Sequence, residues 1–406
     1  MEEHLLEKTM LRAKFIGSIF LIMGSAIGAG ILALPLVTSL GSSALSLLVM
    51  FFIAILMLYT GLMTLEVNMA MHKDGNSFSS MAEKFLKIPG KIVCWICFIM
   101  LLYMVLAAYI EGMGSLAANL LGKLGFSVSS LISSLVITAF FGTVVALGTF
   151  FVDTLNKFLF SAKGIFILLS LLFILPEVNT ATILTYNTYG NYWAQSLPIF
   201  ATCFSYQFII PSIVNYIGKE NYTSIRNAII LGSFIPFFIY ACWFLFIQGI
   251  LPQVGKNSFA LINSSKEPLP LMLEFLGDRV SSWATLMLNG FSNVTMTTSF
   301  LGVALSLFDF IRDGFHLKKD VKGKVLTFLI TFIPPVLFVI MVPKGFVLAL
   351  QYSAVFTCIL VIVLPALMLW KKRLEKVETK YEVPANNAIL LGIAAVGIVL
   401  AFSQFF

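Results

Sequence analysis

Three glycines fall within the seven residues Gly24-Ser25-Ala26-Ile27-Gly28-Ala29-Gly30, and Pro35 follows. Each glycine inside a helix costs about 1 kcal/mol relative to alanine, so this run predicts backbone that unwinds or is approached closely. Because the run lies inside a long apolar stretch, any unwound backbone there has to line a cavity or be buried in protein. The amides of Gly28, Ala29 and Gly30 would then open a half-helix whose positive end receives a carboxylate. The competing reading is that Gly24-x-x-x-Gly28 packs two helices together. A dinucleotide fingerprint is excluded by the glycine order and by the lack of a preceding strand. A second interruption, Phe204-Ser205-Tyr206-Gln207 with Thr202 before it and Pro211 after, is polar. Broken there, the chain would expose carbonyls for an ammonium group, and Phe200, Phe204 and Phe208 would offer ring faces to an apolar side chain. The plainer alternative is an aromatic packing stripe.

Ionisable residues within apolar stretches are few, and their cost in a bilayer makes each a functional candidate. Only twelve residues separate Lys163 from the end of its apolar run at Leu175, about 18 Å of helix at 1.5 Å per residue. That is too short to cross a membrane, so the helix must begin near Phe158 and carry Lys163 within it, unless the lysine snorkels to a membrane surface. Glu66 closes one stretch, as a candidate or as a solvated helix end. Glu111 lies deeper in another and could pair with backbone, line a vestibule or carry a proton. Thr295, Thr297, Thr298 and Ser299 form a hydroxyl patch that could face Lys163 or a small cation, or merely bond its own helix. The five cysteines, including the Cys94-x-x-Cys97 pair, sit in apolar runs without further ligands and read as packing residues. His4, His72 and His316 fall in tails or connecting loops. No catalytic set or metal-ligand set emerges, so an enzyme is not expected, and neither is a cofactor.

The elements that position these residues follow from composition. Of 406 residues, 59% are hydrophobic and 11% charged, less than half the charge of an ordinary soluble domain (about 25%). That composition excludes a cytosolic enzyme, a nucleic-acid-binding protein and a disordered scaffold. Eleven stretches are long and apolar enough to span a bilayer as helices: 15–40, 43–66, 91–121, 128–150, 158–176, 193–217, 228–251, 281–308, 325–342, 346–370 and 386–405. Their length and lack of alternation exclude barrel strands. The connecting segments 1–14, 67–91, 151–163, 218–227, 309–324 and 371–385 hold 21 of the 26 Lys and Arg residues. By the positive-inside rule this predicts a cytoplasmic N-terminus and an external C-terminus. Residues 1–14 read as a charged cap without a cleavable signal. The longest outer loop, 252–280, predicts a short helix from Pro270 to Leu276. The two interruptions occupy matching positions in two five-helix halves, which points to a transporter's binding site.

These residues also carry a family resemblance. The run Gly17-Ser18-Ile19-Phe20 through Gly28-Ala29-Gly30-Ile31-Leu32-Ala33-Leu34-Pro35 resembles the opening of the bacterial tryptophan/tyrosine-specific permeases, the hydroxy/aromatic amino acid permease family. Similar stretches are Leu65-Glu66-Val67, Ala108-Tyr109-Ile110, Phe158 to Lys163, Pro211 to Val214, Thr298 to Leu305 with Leu307-Phe308-Asp309, and Lys344 to Val347. They run in order along essentially the whole chain. The resemblance extends to the larger amino acid–polyamine–organocation group. It implies a leucine-transporter-type fold: one polytopic domain with inverted repeats over about 15–176 and 193–370, broken first and sixth helices, and an extra helix at 386–405.

By that resemblance the protein is a proton-driven importer of tyrosine, tryptophan or phenylalanine in a bacterial inner membrane. Its partners are then an amino acid, a proton and the bilayer. The substrate-binding set is Ser25, Gly28, Ala29, Gly30, Tyr103, Thr202, Phe204, Ser205, Tyr206 and Gln207. Gly24, Ile27, Thr298 and Ser299 match a sodium site of sodium-coupled relatives, and Lys163 stands where proton-coupled relatives place a lysine in that space. Glu66 and Glu111 complete the ion-coupling set. The sequence departs from the family pattern at Ser205 and Gln207, where glycine and histidine are usual, and at Glu111, where a small residue is usual. The alternatives are a sodium-coupled or broader neutral amino acid carrier and, from a different class, a channel or a receptor without flux.

Overall fold

A computed structural model describes residues 2–71, 76–318, 320–342 and 345–405, without the side chains of residues 2–7. His72, Lys344 and the His4 side chain therefore lie outside the described residues. Among the described residues, eleven helices are long and apolar enough to cross a membrane. Among the described residues no strand occurs. Lone apolar helices could not hide this much hydrophobic surface, and their outward faces remain apolar: Phe52, Phe140, Phe158, Leu168 and Phe238 are all exposed. Lipid is the environment that such a surface fits.

The first span is broken into α1 (Glu2–Ala26) and α2 (Gly30–Thr38), and α3 (Ser43–Met69) forms the second. The third, α4, runs Phe78–Lys123 with a kink at Lys87 (φ 62°, ψ −157°), two residues before Pro89. The expected start at residue 91 therefore becomes a continuation of a helix that begins outside the span. The fourth and fifth helices, α5 (Ser130–Leu147) and α6 (Thr149–Ile174), are separated by Gly148 alone. Gly148 turns the chain at φ 123°, where an L side chain would be strained. Hence the fifth helix starts nine residues before Phe158, and residues 151–163, expected as a connecting segment, are helical.

After a short α7 (Thr180–Leu184), the sixth span divides into α8 (Tyr192–Cys203) and α9 (Ile210–Ile217), and α10 (Tyr222–Ile250) is the seventh. The long loop contains α11 (Phe259–Ser264) and α12 (Pro268–Gly277), the latter covering the helix expected at 270–276. Then come α13 (Ser282–Gly314), α14 (Val321–Met341), α15 (Gly345–Cys358), α16 (Leu364–Leu374) and α17 (Asn387–Phe402). Residues 359–363 form a π-helical turn between α15 and α16. Pro365 has no amide to donate to the preceding turn, and the wider turn absorbs that loss.

The packing falls into two groups. Helix α1 lies along α10, α2 along α8, and α3 against both α10 and α8. Separately, α13 packs along α6 and α4, with α5 and α14 completing that group. Helix α15 bridges α4 and α8. The two broken helices thus stand within the first group and face α6, α13 and α4 of the second.

Candidate functional site

Both predicted interruptions are real breaks in the backbone. Helix α1 stops at Ala26 and α2 resumes at Gly30; between them the Gly28 amide donates to the Ala26 carbonyl at 2.8 Å. Helix α8 stops at Cys203, and Phe204, Ser205 and Tyr206 lie outside regular helix. The breaks face each other. The Ser25 hydroxyl points to the Ser205 carbonyl at 3.5 Å, and a Cβ built on Gly30 would stand 3.0 Å from Cys203 Sγ. Glycine at position 30 thus lets the two backbones approach.

Lys163 comes to the first break from the facing group. Its Nζ donates to the Ile27 carbonyl at 2.8 Å and lies 5.0 Å from the centre of the Phe160 ring. The side chain is only 7% exposed, so it does not snorkel: the early start of α6 places it well inside the helix. A cavity of about 280 Å³ between α1 and α6 is lined by Phe20, Gly24, Ile27, Phe160, Lys163 and Ile239 among others. Gly24 leaves room for Phe160, whose ring would lie 3.2 Å from any Cβ there.

The hydroxyl pair on α13 divides its work. Ser299 Oγ accepts the Ala29 amide at 3.1 Å, whereas the Thr298 hydroxyl donates to Thr295 of its own helix at 3.0 Å. Tyr109 on α4 adds its hydroxyl beside Ser299 and the Ala29 backbone. The structure also brings in Tyr240 of α10, which the sequence reading did not single out. Its hydroxyl donates to the Ala26 carbonyl at 2.6 Å and reaches the Cys203 carbonyl at 3.2 Å, joining the two breaks. Its ring meets Phe204 edge-on at 5.2 Å. The only signal in the sequence was a phenol in an apolar run, which must find a polar partner when buried.

Several predicted residues are used elsewhere. Gln207 is buried with both ends of its amide committed: Nε2 donates to the Met57 carbonyl and to Thr60 Oγ1, each at 3.0 Å, and Oε1 accepts the Tyr206 amide at 2.8 Å. The Tyr206 hydroxyl accepts from Ser233 at 2.7 Å and is directed toward Gly61 of α3. These two side chains anchor the second break to α3 and α10. The Thr202 hydroxyl bonds Pro198 within α8 at 3.1 Å. Tyr103 is apart from the breaks, donating to Ile330 of α14 at 2.8 Å.

The reading of Glu66 as a solvated helix end is corrected: its side chain is fully buried. It receives Lys372 Nζ at 2.8 Å, Arg373 Nη2 at 3.0 Å and the Val383 amide at 2.6 Å. The following segment lies back across α3, with the Tyr59 hydroxyl donating to Pro384 at 2.6 Å. Burial pushes the Tyr381 phenol of that segment up to about 12. Glu111 sits toward the opposite face, where its side chain packs against Gly345 at the start of α15. Glu267, hydrogen-bonded to Ser130, is close enough to act on it electrostatically. On that face a second cavity of about 530 Å³ is lined by Gln195, Asn263, Gln351 and Gln404 together with apolar residues.

A family described as the tryptophan/tyrosine permease family matches residues 11–404. The chain is 30% identical to the tyrosine-specific transport system 2 of Haemophilus influenzae, covering 98% of this chain and 97% of that protein. It is 29% identical to the tryptophan-specific transport protein of the same organism, over 96% of this chain and 95% of the relative. A protein named glutamine transporter 2 from Aliivibrio fischeri is 28% identical, over 96% and 99% respectively.

Proposed function

The chain belongs to the tryptophan/tyrosine permease family, and from that premise we propose that it is a secondary active importer of aromatic amino acids, coupled to protons and working by alternating access. The observation that carries this reading is the pair of facing helix breaks with Lys163 seated on the carbonyl of Ile27. Amides opening α2 suit a carboxylate, and carbonyls at the ends of α1 and α8 suit an ammonium group. Phe204 and its neighbours suit an aromatic side chain. Tyr206 and Gln207 hold the second break in place, and Tyr103 acts at a distance if it acts at all. The two five-helix halves, 15–176 and 193–370, are inverted repeats in this reading, with 386–405 appended. The Lys- and Arg-rich face lies in the cytoplasm of a bacterial cell, and the face holding Glu111 and the polar cavity is periplasmic.

Lys163 carries the coupling. As an ammonium it ties α6 to the broken first helix, in a space lined by Gly24 and Ile27; on losing its proton it loses the charge that strengthens that bond, and the contact between the two packing groups loosens. In proteoliposomes, wild-type protein should accumulate L-tyrosine when an inward pH gradient is imposed and should not need sodium. Lys163→Ala should lose this accumulation, and unchanged concentrative uptake would remove Lys163 from the coupling. A second reading, a carrier of broader neutral amino acids, is favoured by the similarity to a protein named for glutamine. Competition of labelled tyrosine uptake by all twenty amino acids, with and without a sodium gradient, separates the two. Absence of any concentrative uptake would favour a channel or a receptor.

A further inference from the structure

Three of the backbone groups at the two breaks, the Ala26 and Cys203 carbonyls and the Ala29 amide, are already engaged by the protein's own side chains. A carbonyl oxygen has two lone pairs. Both are used at Ala26, by the Gly28 amide at 2.8 Å and the Tyr240 hydroxyl at 2.6 Å. The Cys203 carbonyl across the gap takes the same hydroxyl at 3.2 Å. At the amide end, Ala29 has a single N–H, and it is given to Ser299 Oγ at 3.1 Å, with the Tyr109 hydroxyl beside the pair. Tyr240 is fully buried, so bulk solvent does not reach its phenol. An ammonium group can take the Ala26 carbonyl only by displacing one of its two donors, and Tyr240 is the one contributed by a side chain. A carboxylate can take the Ala29 amide only by displacing Ser299.

Resting on the functional reading above, we infer that Tyr240 and Ser299 are internal stand-ins for the substrate, a donor in place of its ammonium and an acceptor in place of its carboxylate. They keep the broken-helix polar groups satisfied until an amino acid exchanges for them, and they set the affinity by competing with it. Unpaired buried carbonyls and amides are costly, so a carrier with two open breaks needs such partners whenever no substrate is bound. The same exchange links the groups, because Ser299 belongs to α13 while the amide belongs to the first break: binding releases a tie between the two packing groups. Tyr240 and Ser299 are thus positioning residues that act through the occupancy of the backbone groups.

The test is equilibrium binding to the purified full-length chain with radiolabelled L-tyrosine, L-tryptophan, L-phenylalanine and L-glutamine, alongside thermal unfolding with and without ligand. Tyr240→Phe keeps the ring that packs on Phe204 and removes only the competing donor. It should bind the wild type's ligand about two- to tenfold more tightly, the span expected for one net hydrogen bond. Without ligand it should melt below wild type, and saturating ligand should close most of that gap. Equal or weaker binding by folded Tyr240→Phe overturns the inference, since a purely structural phenol, or one that touches the substrate, would lower affinity. Where Tyr240→Phe does not remain folded, Ser299→Ala decides by the same sign of change. Wild type that binds only L-glutamine overturns the aromatic assignment yet still reads out the stand-ins with that ligand; wild type that binds none of the four overturns both.

Discussion

At the residue scale, glycine matters here because of what stands next to it. A Cβ on Gly28 would lie 3.4 Å from the Tyr109 hydroxyl and 3.6 Å from Ser299 Oγ, ordinary contact distances that leave room for a methyl group and nothing larger. Gly28→Ala is therefore expected to stay folded and to weaken substrate binding only a few-fold (about 1 kcal/mol, the order of a modest packing change). Gly28→Leu should abolish binding while the protein still elutes as a folded species on size exclusion. Wild-type affinity in Gly28→Leu would place the substrate elsewhere. Lys163 and Glu66 show how similar scarcity leads to different roles. Both are buried charges in the apolar chain, but Lys163 meets one carbonyl at a helix break, whereas Glu66 meets two cations and an amide.

At the element scale, the Glu66 cluster joins α3 to α16 and clamps the segment that follows α16. Truncating one partner of a buried ion pair leaves the other charge uncompensated and typically costs about 3–5 kcal/mol. Glu66→Ala should accordingly lower the unfolding temperature markedly, and Glu66→Leu combined with Lys372→Met should recover part of the loss, because the fully buried lysine is then not left unpaired, while the partly exposed Arg373 keeps Glu382 and the Val383 carbonyl. A drop in the double variant equal to or larger than that in the single one would show that the pair itself stabilises the join. The same scale explains why Gln207 and Tyr206 face away from the gap. A broken helix exposes backbone that must be held, and α3 offers the Met57 carbonyl, Thr60 and a glycine, Gly61, where the Tyr206 ring can approach.

At the scale of the whole molecule, two helix groups meet across the breaks, and the proposed orientation rests on the Lys and Arg pattern. If the Lys- and Arg-rich face is cytoplasmic, Lys256→Cys should react with a membrane-impermeant maleimide in intact cells, and Lys157→Cys only after permeabilisation. The reverse pattern would invert the topology. The native cysteines offer little background, since Cys94, Cys97, Cys203 and Cys358 are buried and Cys242 is half-buried.

Composition and run length determined the number of spans, their helical nature and the two interruptions, because solvation in lipid acts on each segment separately and leaves its mark locally in the chain. Helix boundaries were less legible: Gly148 turns the chain without any polar run, so the fifth helix began earlier than its hydrophobicity suggested. The partners of the buried polar groups were not legible at all. That Glu66 finds Lys372 and Arg373 some 300 residues away, that Gln207 spends its amide on α3, and that Tyr240 spans both breaks are outcomes of which helices pack together. A hydrogen bond requires its two atoms to meet in space, and only the tertiary arrangement decides that.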